Sequence, residues 1–206
     1  MSNTNLNRQT VFDSPLCKPA LRKLTRVLFK LLGWQVEGTP PDLKKYVVIG
    51  APHTSNWDFP LALGLAFHFE IRLFWLGKDA LFRWPLGSLM RWLGGIAVNR
   101  ATSHNLVEQA AETLRTCDEM VLGIPPEGTR QRVSHWKTGF YYIALQAQVP
   151  IALAFIDFKR KTTGFGPTFT PSGDLEKDMT VIRAFYAPIQ GKYANQSGSA
   201  EISLKP

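Results

Sequence analysis

The chain has 206 residues, 45% of them hydrophobic, enough to bury one sizeable core and too many for disorder throughout. Lys and Arg outnumber Asp and Glu by 24 to 16, a formal charge of +8 that favours an anionic partner: nucleic acid, a phospholipid surface, a phosphorylated substrate or an acidic carrier protein. Six Trp and thirteen Phe are a large apolar load for this length, and part of it is expected to meet lipid or an acyl chain.

In chain order, residues 1–15 (MSNTNLNRQTVFDSP) read as a loose polar leader without the apolar segment of a signal peptide. In residues 18–34, Leu21, Leu24, Leu28, Leu31 and Leu32 recur at helical spacing with Arg22, Lys23, Arg26 and Lys30 beside them, and Gly33 marks a stop. This predicts an amphipathic helix whose stripe either packs on the core or rests on anionic lipid. Lys45 to Pro52 is a short buried strand, Asn56 to Phe69 a helix, and Ile71 to Gly77 a second strand. KDALFRWPLGSLMRWLGG follows, aromatic and cationic, with short helical pieces. Ile96 to Asn99 is a brief strand, and Ser103 opens a helix that runs to Arg115. Met120 to Ile124 is a clear strand, Trp136 to Gln148 a helix and Pro150 to Ile156 another buried strand.

The Gly- and Pro-rich extension, 157–206, holds a helix near 176–187 and a candidate last strand at 201–204. Alternating strands and helices predict an α/β fold: a mostly parallel sheet flanked by helices, with the N-terminal amphipathic helix, as one domain over 1–206 and a core at 46–156. No stretch approaches the roughly 18 apolar residues of a spanning helix, so the chain is expected to lie on a bilayer rather than cross it. Cys17 and Cys117 lack any CxxC or Cys/His spacing, which predicts unpaired thiols in a reducing compartment and no metal site.

The first chemical signal is APHTSNWDFP, residues 51–60, at a strand's exit. His53 and Asp58 are five positions apart, about 500° around one helix, so they meet only if a turn separates them. Thr54, Ser55 and Asn56 are cap and turn residues that can supply it. A carboxylate on one ring nitrogen fixes the tautomer and frees the other nitrogen to take a proton. No GxSxG elbow supplies a serine nucleophile, so the proton is expected to come from a substrate hydroxyl. The second signal is PPEGTRQR, residues 125–132, after the strand Met120 to Ile124. Here Gly128 permits close backbone approach, and Arg130 and Arg132 offer planar forks suited to phosphate oxygens. HWKTGF then adds Lys137 and Gly139, and GGIAVNR ends another strand with Arg100.

Together these segments resemble the glycerolipid acyltransferase family, which includes the 1-acylglycerol-3-phosphate acyltransferases. HxxxxD is matched by His53 to Asp58, PEGTR by Pro126 to Arg130, and the following Lys-x-Gly by Lys137 and Gly139. GGIAVNR and VPIALAF resemble the family's two remaining segments, and the whole looks like its compact bacterial branch. The resemblance implies that His53 deprotonates an acceptor hydroxyl while Asp58 orients it. Arg100, Glu127, Gly128, Thr129, Arg130 and Lys137 would hold a lysophospholipid or related acceptor. The acyl group would come from a thioester on acyl-CoA or acyl carrier protein, a co-substrate, with no resident cofactor or metal and no nucleic acid. The implied location is cytoplasmic, peripheral on the inner face of the cell membrane. Two other readings stand beside it: an acyl thioesterase that uses the same base with water as acceptor, and a non-catalytic basic membrane-binding module, which accounts for the charge and the aromatics but not for the His53/Asp58 loop with PEGTR.

Overall fold

The computed structural model describes residues 8–98, 106–196, 198, 201 and 202. Its seven-stranded sheet comprises β1 (Gln35–Glu37), β2 (Lys45–Ala51), β3 (Leu73–Lys78), β4 (Gly95–Val98), β5 (Met120–Ile124), β6 (Ile151–Asp157) and β7 (Thr162–Phe169). The order across it is β1-β7-β6-β2-β5-β3-β4. From β6 to β4 every pairing is parallel; β7 runs antiparallel to β6, and β1 runs with β7. The mostly parallel α/β architecture is therefore as expected.

Alternation along β2 explains the two layers. Val47, Ile49 and Ala51 enter one cluster with residues of α4 (Leu106–Thr116), α5 (Gly139–Ala147) and α6 (Leu175–Tyr186). Tyr46 and Val48 face the other way, towards Leu65 of α2 (Asp58–His68). That second layer also carries α1 (Cys17–Leu32), packed on α2, and α3 (Gly87–Trp92) ahead of β4. Among the described residues no helix is long and apolar enough to cross a membrane.

Two expectations change. The leader is not loose where it is described: Val11 and Phe12, in a 3-10 turn, are buried against Leu63, Ala66 and Phe67 of α2. Asp13 closes that turn on the Thr10 N–H and pairs with Arg72 at 2.8 Å. Second, the extension contributes the eight-residue strand β7. Its sequence, TTGFGPTF, reads as a loop because Gly and Pro are poor strand formers. The glycines are steric: a Cβ at Gly164 would stand 1.8 Å from the Glu37 carbonyl of β1, and one at Gly166 would strike the Phe185 ring. Pro167 falls at an irregularity in the β6–β7 register, where no ladder N–H is missed. The candidate strand at 201–204 reduces to a parallel bridge from Ile202 to Trp136, with 203–206 outside the described residues.

Of the two settings open to the α1 stripe, Leu21 packs against α2 beside Val11 and Phe12, while Leu24, Val27, Leu28, Leu31 and Leu32 stay exposed. Thr25 and Phe29 are the buried positions, and both lie against Gly64, where a Cβ would come within 3.1–3.2 Å of them.

Candidate active site

Ile49 of β2 lies opposite Ile124 of β5. Four residues beyond one and three beyond the other, His53 and Glu127 therefore reach the same point above the strand ends, where open α/β sheets place their sites. The His53 backbone N–H donates to Glu127 Oε1 at 2.9 Å, joining the two loops.

A turn between His53 and Asp58 brings the carboxylate back to the imidazole. Trp57 occupies the N-cap position of α2 without a side-chain cap bond, and Ser55 Oγ accepts the Trp57 N–H at 3.1 Å within the turn. Asp58, in the first turn of α2, folds back. Its Oδ2 accepts the Thr54 and Ser55 backbone N–H groups, both at 2.8 Å, and stands 3.0 Å from His53 Nδ1. The carboxylate thus holds the loop and the imidazole with one oxygen. The Asp58 side chain is 5% exposed and that of His53 is 24% exposed, so the carboxylate is sealed while the ring remains reachable. Placing Nδ1 on the carboxylate leaves Nε2 as the nitrogen available to a substrate.

Two buried oxygens, Asp58 Oδ1 and Glu127 Oε2, have no partner among the described residues. Buried acceptors normally find donors. Burial pushes the Glu127 carboxyl above the usual carboxylate range, and the Asp58 charge adds to this; the His53 N–H bond opposes it without cancelling it. A carboxyl raised on folding binds more protons folded than unfolded, so its contribution to stability falls as pH rises from about 4.5 through the raised value. Glu127→Gln keeps an oxygen for the His53 N–H and removes the titration. The variant should gain stability relative to wild type as pH climbs through that window. Denaturation curves at several pH values test this, and a pH-independent difference would rule it out.

Gly128 has φ +64°, a left-handed conformation that glycine adopts without strain. The Lys137 side chain crosses it, with Cδ, Cε and Nζ 3.2–3.5 Å from where a Cβ would stand, and the Lys137 N–H bonds Pro126 O at 2.9 Å. Lys137 is thereby held against Gly128 on the Glu127 loop. Thr129 and Arg130 are exposed on the same loop, and neither Arg130 nor Lys137 has an ion-pair partner among the described residues. Arg100 and the expected cap Ser103 lie outside the described residues. A concavity lined by Arg132, Val133, Ser134, His135 and Glu201 does not include His53 or Asp58.

Sequence reading missed the turn at 191–196. The Tyr193 N–H donates to Thr54 Oγ1 at 3.3 Å, Gly191 sits against Thr54 and Pro52, and Lys192 Nζ lies 4.9 Å from the centre of the exposed Trp57 ring. Nothing in the spacing of GKYANQ marks it as part of a site.

With this geometry in view, comparison with known proteins is informative. The sequence model of the Acyltransferase family matches residues 34–155, more than half of the chain and both motif loops. No curated protein sequence gives a significant match. The crystal structure of the 1-acyl-sn-glycerophosphate (LPA) acyltransferase PlsC from Thermotoga maritima is similar in fold, with TM-score 0.54 at 21% identity over 79% of this chain and 72% of that one. The family's segments thus cover the strand exits that bring His53, Asp58 and Glu127 together, and the chain belongs to the Acyltransferase family as an acyltransferase.

Proposed function

We propose that the protein moves a fatty acyl group from an acyl thioester, on CoA or acyl carrier protein, to a hydroxyl of a lysophospholipid-type acceptor. The acceptor hydroxyl gives its proton to His53 Nε2, its oxygen attacks the thioester carbonyl, the C–S bond breaks, and the thiolate leaves and takes up a proton. Asp58 holds the imidazole through Nδ1. Arg130 and Lys137 grip the acceptor phosphate, Gly128 lets the Lys137 stem lie close, and the unpartnered Glu127 Oε2 takes a hydrogen bond from the acceptor. Thr129 borders the same subsite. A resident cofactor has no role in this chemistry, since the thioester carries its own leaving group. A general base supplies about 10²- to 10⁴-fold, and holding two substrates in register supplies much of the rest.

The observation that carries this reading is the 3.0 Å contact between His53 Nδ1 and the buried Asp58 Oδ2, with cations on the neighbouring loop that have no ion-pair partner among the described residues. Thiol release from long-chain acyl-CoA and from acyl carrier protein, with and without a panel of lysolipids, tests it. Release that depends on an added acceptor is expected; equal release into water would make the enzyme a thioesterase. Arg130→Ala should raise the KM of a phosphorylated acceptor about tenfold or more, as loss of a charge-assisted pair does, and leave the donor KM alone. An unchanged acceptor KM would remove Arg130 from the phosphate site.

The partner surface we propose is an anionic membrane. The exposed positions of α1, residues 24, 27, 28, 31 and 32, form one helical face flanked by Lys23, Arg26 and Lys30. Ahead of α3, Trp84 is 93% exposed, close in sequence to Arg83 and the exposed Leu86 and Leu89. Burying a large apolar side chain is worth about 1.5–3 kcal/mol, which water denies these residues and lipid would supply. Leu31→Ser and Trp84→Ser should each weaken binding to phosphatidylglycerol vesicles about tenfold. Variants that float with vesicles as well as wild type would exclude this face.

A further inference from the structure

We propose that Gln196 is a positioning residue of the acyl-transfer site: its side-chain amide ties the base loop to the phosphate loop and sets their separation. Oriented by its hydrogen bonds, the Gln196 amide nitrogen donates to Arg130 O at 2.8 Å and Thr54 O at 2.9 Å. An amide nitrogen carries two hydrogens, and each goes to a different loop. One carbonyl belongs to the residue after His53, the other to Arg130, whose guanidinium has no ion-pair partner among the described residues.

Thr54 is unusually constrained as a result. Its N–H goes to Asp58 Oδ2, its hydroxyl accepts the Tyr193 N–H, and its carbonyl accepts from Gln196. The turn that supplies the last two contacts is itself held. The Phe158 N–H donates to Gln190 O at 2.9 Å, Gly191 fits where a Cβ would be 2.6 Å from Thr54 Oγ1, and Lys192 packs over Trp57. Glu127 joins the loops from below through the His53 N–H, and Gln196 joins them from the extension. Two independent ties make the distance from imidazole to guanidinium a property of the frame. That distance must match the separation between reacting hydroxyl and phosphate in the acceptor. Gln196 therefore contributes to the choice among acceptors whose hydroxyl and phosphate differ in spacing.

This rests on His53 as base and Arg130 as phosphate contact. Two measurements on the full chain test it, in wild type, Gln196→Ala and Gln196→Glu. Hydrogen exchange needs no substrate: amides in 53–58 and 127–131 should exchange faster in both variants. Gln196→Glu should show the larger change, because its carboxylate would face two carbonyl oxygens. In steady-state kinetics with phosphorylated acceptors of two hydroxyl-to-phosphate spacings, kcat should fall about tenfold or more, as small misplacements do. The ratio of kcat/KM between the two acceptors should move towards one. The melting temperature should stay within about 4 °C of wild type. Unchanged exchange in both loops overturns the proposal, and so do looser loops with unaltered kcat and acceptor ratio, which would make the contact merely structural. A wild type that transfers no acyl group overturns the functional reading above, while the exchange measurement still decides whether Gln196 joins the loops.

Discussion

Replacing His53 by Ala lowers turnover by about 10²- to 10⁴-fold and leaves the melting temperature close to that of wild type. The two halves of this expectation have separate grounds. Nε2 is the only ring nitrogen left for substrate once Nδ1 lies on Asp58, and removing it removes the proposed proton acceptor. The fold loses little, because the side chain is partly exposed and its one described partner, Asp58 Oδ2, keeps two backbone donors. Steady-state thiol release and thermal melting of the same preparation check both. A folded His53→Ala protein with near-wild-type turnover would end the general-base reading.

Asp58→Ala behaves differently: it loses activity on the same scale and also loses stability. Without the carboxylate, the Thr54 and Ser55 N–H groups are left buried without acceptors, each costing about 1–3 kcal/mol. For a chain of this size that predicts a fall in melting temperature on the order of 10 °C. Asp58→Asn separates the two roles, because its amide oxygen still accepts from the loop while the fixed charge facing Nδ1 is gone. The Asn variant should melt nearer to wild type yet remain crippled in turnover. If Asp58→Ala melts with wild type, the carboxylate does not organise the loop as described; if Asp58→Asn turns over normally, it does not orient the base.

The strands that carry the motifs were legible because each is a short apolar run ending in turn residues, and all five fall within a residue or two of the expected place. β7 was not, since Gly164 and Gly166 answer to neighbours at other places in the chain, the Glu37 carbonyl and the Phe185 ring. For α1 the sequence left core and lipid both open: Leu21 packs, the later leucines stay exposed, and the close contact is made by Thr25 and Phe29, because Gly64 on α2 admits them. In the site, the pairing of His53 with Asp58 was legible from spacing. The bond from Glu127 to the His53 backbone was not, because no local pattern records which carboxylate accepts an N–H donated from another loop. Arg100 was also expected here and lies outside the described residues.

The Glu127–His53 tie has a consequence for inheritance. A side chain from one loop grips the main chain of the other, so neither can be transplanted alone. A chimera that receives residues 53–58 from a distant relative also needs a glutamate of the same reach arriving from beneath it. A matched pair of loops should transfer where single grafts fail, and drift in one segment during evolution would have to wait for its companion.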